Sequence, residues 1–399
     1  MSIRAILVLF VLGSRTLAEQ PSVERARKLV GNGSTGGAIQ MLRRVIAAEP
    51  GNADAHLLLG TTLALQGNRS ESLQQLREAV RLRPDSAEAY RALGMALGRF
   101  VEIKAAREAF ERAIELNPNV ADAHADLSLI LAQSGEWRLA REHLNRAIQI
   151  EGNKPPAARF YYLRAGIAGE QNDLGAARAD LERAVLLRPD FAVAWARLGA
   201  IRRALLDDAG SLSAFQRAVE IDPKDAKAQY WLGSEYLRSG QADPAIKHLR
   251  ESLAFDPDNR AALYNLQLAL RRAGRSAEAE EVEAKMAELL RRRARASEAA
   301  IKAVKLNNEA VELEKGGNLP AAVEKYRTAL DLDPDHGGFR LNLGLALCRL
   351  NRWEEGIAEI REVLRRDPNN AAATRALYIA MEEQSKNAVP AGSARHPGR

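Results

Sequence analysis

The side chains able to do chemistry are few and dispersed. A G-x-G-x-x-G run stands at Gly31, Gly33 and Gly36, but it cradles dinucleotide phosphates only when a strand leads into it and a helix leaves it. The apolar spacing on both sides is helical, so the run reads as a turn between two helices. The six histidines, His56, His124, His143, His248, His336 and His396, show no H-x-x-x-H spacing, so none share a helical turn in the way a zinc site on a helix requires. Cys348 is the single cysteine, which excludes an internal disulfide and a cysteine-based zinc centre. No histidine lies three or four residues from Cys348 to take its proton, and it reads as a packing residue near the groove wall. This inventory supplies no catalytic group, no metal site and no cofactor site.

Composition narrows the class further. Hydrophobic residues make up 46% of the 399 and aromatics only 5%, with Ala, Leu, Arg and Glu dominant, which describes a folded helical chain with few strands. Most of the formal charge of +6 sits at the ends. Arg4 and Arg15 precede residue 18, and Lys386, Arg395 and Arg399 follow Gln384, which leaves about +1 on the body. A near-neutral body with interleaved signs lacks the basic stripe that phosphate neutralisation needs, so nucleic acid is not expected as a partner.

The N-terminus has the form of a secretion signal. Arg4 is the positive flank, Ala5 to Gly13 is an apolar run, and Thr16-Leu17-Ala18 offers small residues to a signal peptidase, with cleavage expected after Ala18. A spanning helix needs roughly twenty apolar residues, and Ser14 and Arg15 end this run well short. The expected location is secreted or periplasmic, with an uncleaved N-terminal anchor as the alternative and no stable membrane span after cleavage.

Periodic prolines organise the rest. Pro50, Pro84 and Pro118 are 34 residues apart, as are Pro189, Pro223 and Pro257, and Pro334 and Pro368. With each proline at place 32, ten units begin at Glu19, Ala53, Ala87, Ala121, Ala158, Ala192, Ala226, Arg260, Ala303 and Gly337. Place 8 is small in all but the eighth unit, which has Gln267, and place 20 is small throughout. Two small places 12 apart mark where an antiparallel pair, helix A over places 2–14 and helix B over 17–30, crosses closely. Large residues such as Leu93 and Leu232 at place 7, and Phe110 and Leu249 at place 24, flank that crossing. Proline at 32 ends helix B.

These residues resemble the tetratricopeptide repeat family. The third unit carries Tyr90, Leu93, Gly94, Leu97, Ala106, Phe110, Ala113 and Pro118 at the places of that pattern, and the likeness covers roughly residues 19–370. It implies an all-α fold: a right-handed α-solenoid of about ten helix-turn-helix repeats plus a C-terminal capping helix, with a concave groove lined by the A helices. The expected organisation is a signal peptide at 1–18, repeats one to four at 19–157, repeats five to eight with an extended connecting helix at 158–302, repeats nine and ten at 303–370, a capping helix at 371–383 and a disordered tail at 384–399. Repeats four and five are spaced by 37 residues, and repeats eight and nine by 43. Nothing between Gly274 and Gly316 breaks a helix, so this connection is expected to be helical. Its run Arg291, Arg292, Arg293 and Arg295 is either a solvated surface or a contact for an acidic partner. In the cap, Leu377, Tyr378 and Met381 are expected to face inward.

One stripe of each A helix faces the expected groove. Place 5 carries Tyr162, Tyr230 and Tyr264, and place 6 carries Asn265, Asn308 and Asn342 in the last three repeats. An amide offers a donor and an acceptor to a peptide backbone whatever its sequence. The three asparagines resemble the ladder in the repeat arm of O-linked N-acetylglucosamine transferases; alternatively they only tolerate solvent. Place 9, which reads Thr61, Met95, Leu129 and Ser234 among others, lacks the asparagine of the family's carboxylate clamp. The reading is a non-catalytic scaffold that binds a protein or extended peptide in its groove, with no small-molecule substrate expected. The alternative is a structural module of an envelope assembly that uses its convex face or stack end.

Overall fold

The computed structural model describes residues 22–368 and 370–388. The expected signal segment and residues 389–399 lie outside the described residues. Among those described, every regular element is an α-helix, and the chain divides into two units, Met1–Pro223 and Lys224–Arg399. The first unit pairs α1 (Val23–Gly31) with α2 (Thr35–Ala48), α3 (Ala53–Leu65) with α4 (Arg69–Leu82), α5 (Ala87–Arg99) with α6 (Ile103–Leu116), α7 (Ala121–Gln133) with α8 (Trp137–Glu151), α9 (Ala157–Glu170) with α10 (Leu174–Leu187), and α11 (Ala192–Ala204) with α12 (Asp208–Ile221). The second pairs α13 (Ala226–Arg238) with α14 (Ala242–Phe255), stacks α15 (Arg260–Arg272) on α14, and continues through α16 (Ser276–Lys315), α17 (Leu319–Leu332), α18 (Gly337–Arg349), α19 (Trp353–Arg366) and α20 (Ala371–Ala388).

Several repeats start their A helix with the same device, which is missing where Val120, Pro156 and Phe191 precede α7, α9 and α11. Asn52, Ser86, Asp225 and Asn259, all at place 34, accept from the backbone N–H three residues on, which satisfies a donor the helix cannot. A and B helices then cross where place 8 meets place 24. A Cβ on Gly233 would lie 2.7 Å from Leu249 Cγ, and one on Gly94 2.8 Å from the Phe110 ring. Ser72 Oγ at place 20 donates to the carbonyl oxygen of Gly60 at 2.8 Å, so the two helices touch backbone to side chain. Place 24 is buried in nine repeats, from Leu42 to Ile360, the exception being the exposed Glu283 of repeat eight.

The turn between A and B helices adds a constraint not read from the sequence. Place 15 has positive φ in all ten repeats, filled by glycine in six and by Val101, Asn172, Leu206 and Asn351 in the others. Val101 is 69% exposed and Leu206 85%, so neither recovers by burial what a left-handed backbone costs a Cβ-bearing residue.

The segment 276–315 is one helix. It serves as the B helix of repeat eight, against α15, and as the A helix of repeat nine, against α17. Between those contacts residues 290–298, with the four arginines, are exposed.

The cap differs from its expected orientation. Ala373, Ala376 and Ala380 face Ile357, Ile360 and Val363, while Tyr378 is 71% exposed and Met381 47%. Small residues let α20 lie close on α19, and that close approach displaces the bulkier face, leaving Leu377 half buried. The helix also runs past 383 to Ala388, where Lys386 bridges Glu382 and Glu383 one turn back at 2.8 and 2.9 Å.

Gly233→Leu forces a side chain into the place Leu249 fills and lowers unfolding stability by roughly 1–3 kcal/mol in urea titrations; an unchanged transition contradicts the crossing described here. Leu206→Gly relieves the left-handed strain and, after the added entropy of the unfolded chain, raises stability by about 0.5–1 kcal/mol. A lower midpoint in the same titration disproves that account.

Candidate functional site

Within each unit the A helices also touch one another: α1 with α3, α3 with α5, α5 with α7, α7 with α9, and in the second unit α13 with α15. Places 5, 6 and 9 line this inner wall.

In the first unit the wall is tied together by charge. Arg91 Nε donates to Asp126 at 2.7 Å, and Arg159 donates to Asp126 at 3.1 Å and to Asp122 at 2.8 Å. Asp126 is buried, and two guanidinium groups compensate its desolvation, which links α5, α7 and α9. Between the charges, Met95 and Leu129 at place 9 remain 51% and 46% exposed. Tyr162 is packed on Phe191 at 5.2 Å between ring centroids, with the Arg197 guanidinium 5.1 Å over its ring. Gly166 leaves room for that guanidinium, since a Cβ there would lie 3.2 Å from Arg197 Nη1. Much of the Tyr162 surface is therefore committed to its own chain.

In the second unit, Tyr230 contacts the Trp231 ring at 4.8 Å, and its carbonyl oxygen accepts from Ser234 Oγ at 2.7 Å. Asn265 Nδ2 donates to Ser234 Oγ at 2.9 Å, and the neighbouring Tyr264 is 58% exposed. Asn342 Nδ2 donates to Asn307 Oδ1 at 3.0 Å. Asn342 also lines a cleft of about 340 Å³ with Val311, Glu314, Tyr326, Leu345 and Arg349. Tyr326 is buried there and donates to Glu314 at 2.8 Å; burial, reinforced by that acceptor, pushes its hydroxyl pKa up. No described donor reaches Oδ1 of Asn265 or Asn342.

The asparagines do not form one ladder. Place 6 bonds back to the preceding A helix, but repeat nine has no A helix stacked before it, because α16 runs straight into it. Asn308 is exposed and lines a different cleft, and the buried Asn307 one place earlier serves Asn342. Cys348 is likewise not on the groove wall. It is buried against α19, where a Cβ on Gly356 would lie 2.5 Å from its sulfur, and burial pushes its thiol pKa up.

Sequence spacing also missed a pair of histidines. His124 Nδ1 and His143 Nδ1 are 2.9 Å apart, and His124 Nε2 lies 3.1 Å from the Pro118 carbonyl oxygen. That carbonyl requires a proton on Nε2, so Nδ1 of His124 accepts and Nδ1 of His143 donates. The same two places, 4 and 23, join His56 to Gln75 at 2.6 Å and His248 to Gln229 at 2.8 Å. Their recurrence was the available signal, because it pairs residues across the two helices of a repeat and not along one.

Sequence models of the tetratricopeptide repeat match residues 29–96 and 206–270, and 91–158, 162–226 and 307–371. The chain belongs to the tetratricopeptide repeat family. Such proteins generally act as protein-interaction scaffolds, without catalysis of their own. Among curated proteins, the BBSome complex member bbs-4 of Caenorhabditis elegans is 30% identical over 87 residues, 21% of this chain and 19% of that protein. This tetratricopeptide repeat chain thus matches about a fifth of that relative's length. Among solved structures, Pseudomonas aeruginosa pilF is similar at 17% identity and a TM-score of 0.47, over 53% of this chain and 94% of that one. YrrB, a TPR protein with an unusual peptide-binding site, is similar at 21% identity and a TM-score of 0.39, over 47% and 96%. Neither likeness extends to what this chain binds.

Burial holds the pKa of His124 and His143 below the usual 6.5. Arg146 faces His124 and Arg107 faces His143, opposing protonation, while Glu111 and Glu142 favour it at His143 without reversing the shift. The unfolded chain therefore takes up protons first, so stability is fully present above pH about 6.5 and falls as the pH drops below it. Urea titrations of the parent from pH 7 to 5 should show this loss, and His143→Gln, which restores the pairing of the other repeats, should reduce it. An identical pH dependence in the variant would contradict this assignment.

Proposed function

We propose that this tetratricopeptide repeat protein is an exported, non-catalytic scaffold that holds a protein or extended peptide segment along the inner wall of its A helices. The observation that carries the reading is how that wall is made. In each unit polar groups bond between neighbouring repeats and fix the wall, while Met95 and Leu129 stay exposed in the first unit and Tyr264 in the second. A fixed wall with exposed apolar side chains offers contact area at low entropic cost. The carbonyl oxygens of Asn265 and Asn342 are available to accept backbone N–H groups of a bound strand. The apolar run Ala5 to Gly13 behind Arg4 supports export to a secreted or periplasmic location. The near-neutral body argues against nucleic acid, and the dispersed reactive side chains argue against a cofactor or small-molecule substrate.

A second reading is a structural module of an envelope assembly that uses the stack end. The exposed Tyr378 and Ile379 of α20 favour it.

The test begins with cross-linking of the processed chain to identify a partner by mass spectrometry, followed by calorimetry with that partner. Tyr264→Ala should weaken binding by about 1–3 kcal/mol without moving the melting temperature, and Glu251→Ala on the convex side should change nothing. Loss at Glu251 with unchanged affinity for Tyr264→Ala would place the binding surface outside the groove.

A further inference from the structure

The second unit contains a helix seat without an occupant. Where α15 lies on α14, its places 3 and 10, Ala262 and Ala269, are fully buried. The corresponding places in repeat nine are Lys305 and Glu312, and the B helix that would cover them is collinear with them in α16. What remains is an open cleft of about 980 Å³ between α16 and α17, lined by Ile301, Val304, Lys305, Asn308, Glu312 and Leu313. Ile301 is 69% exposed and Val304 47%.

The same unit ends in an apolar helix face without a cover. Tyr378, Ile379 and Met381 of α20 are 71%, 52% and 47% exposed, while Ala373, Ala376 and Ala380 hold the opposite face on α19. Successive packing of α16 on α17, α17 on α18, α18 on α19 and α19 on α20 keeps this helix away from the cleft of its own chain, so only another copy can bring the two together.

The charges match in one direction. Lys305 and Glu312 are seven residues apart on α16, and Arg375 and Glu382 are seven apart on α20, about 10 Å in each helix. Laid antiparallel, Arg375 meets Glu312 and Glu382 meets Lys305, with Tyr378 and Ile379 over the middle of the cleft. Lys305 and Arg375 make no ion pair among the described residues. Among the described residues Glu312 and Glu382 pair only with Lys315 and Lys386 of their own helices, in exposed contacts that exchange at little cost.

We propose that the chain associates head to tail with a second copy, the α20 of one lying in the α16–α17 cleft of the next. This goes beyond groove binding and does not depend on it. The contact is heterologous, so each copy keeps one free seat and one free helix, and the assembly grows unless it closes into a ring.

Sedimentation velocity of the chain processed after Ala18 tests this. The parent should rise above the monomer mass with concentration. Ile301→Glu with Val304→Glu, and separately Tyr378→Glu with Ile379→Glu, should each remain monomeric, with circular dichroism melts confirming that they fold. An equimolar mixture of the two should stop at a dimer, because only one intact seat and one intact helix remain. Arg375→Glu should weaken association several-fold, and adding Glu312→Arg should restore it. A parent that stays monomeric overturns the proposal. So does a mixture that stays monomeric, or a helix variant that still associates while the seat variant does not, which would assign the seat to a different segment.

Discussion

The structure depends on one close approach, that of place 8 to place 24 in each helix pair. Where Gly60, Gly94, Gly199, Gly233 and Gly344 stand, no Cβ fits beside Leu76, Phe110, Phe215, Leu249 and Ile360. The approach requires short helices joined by a tight reversal, and the left-handed residue at place 15 supplies it even where the residue is Val101 or Leu206. A packing contact thus imposes backbone strain on a turn several residues away.

Repeat eight shows what happens when that contact is replaced. Its places 8 and 24 are Gln267 and Glu283, and the amide donates to the carboxylate at 2.8 Å, joined by Arg271 at 2.8 Å. A polar bond between longer side chains stands in for the small-against-large fit. Beyond it no residue stops the helix, so α16 runs for 40 residues. The stacking of repeat nine on repeat eight is lost, and with it the third rung of the asparagine row.

The inner wall balances two demands. A scaffold must hold its own repeats in register, and Arg91, Asp126, Arg159, Asn265 and Asn342 do this with bonds from one A helix to the next. A binding surface must leave something over, and here that is a sparse set of apolar side chains and amide oxygens. Tyr162 illustrates the first demand prevailing: it occupies the same place as Tyr264 yet is enclosed by Phe191 and Arg197.

The sequence by itself determined the fold, because a repeating unit states its packing rule ten times over. The prolines, the small residues at places 8 and 20 and the missing helix breakers after Gly274 are local signals, and local signals survive in one dimension. What each side chain touches across repeats does not. The partner of place 6 depends on which helix is stacked before it, so Asn307 and Asn308 exchange roles once α16 becomes continuous. His124 and His143 meet only because two antiparallel helices bring places 4 and 23 together. Tyr378 faces outward because three alanines on the other side of α20 permit a closer approach than a tyrosine would. Those outcomes are set by competition between neighbours distant in sequence, and only the tertiary structure decides them.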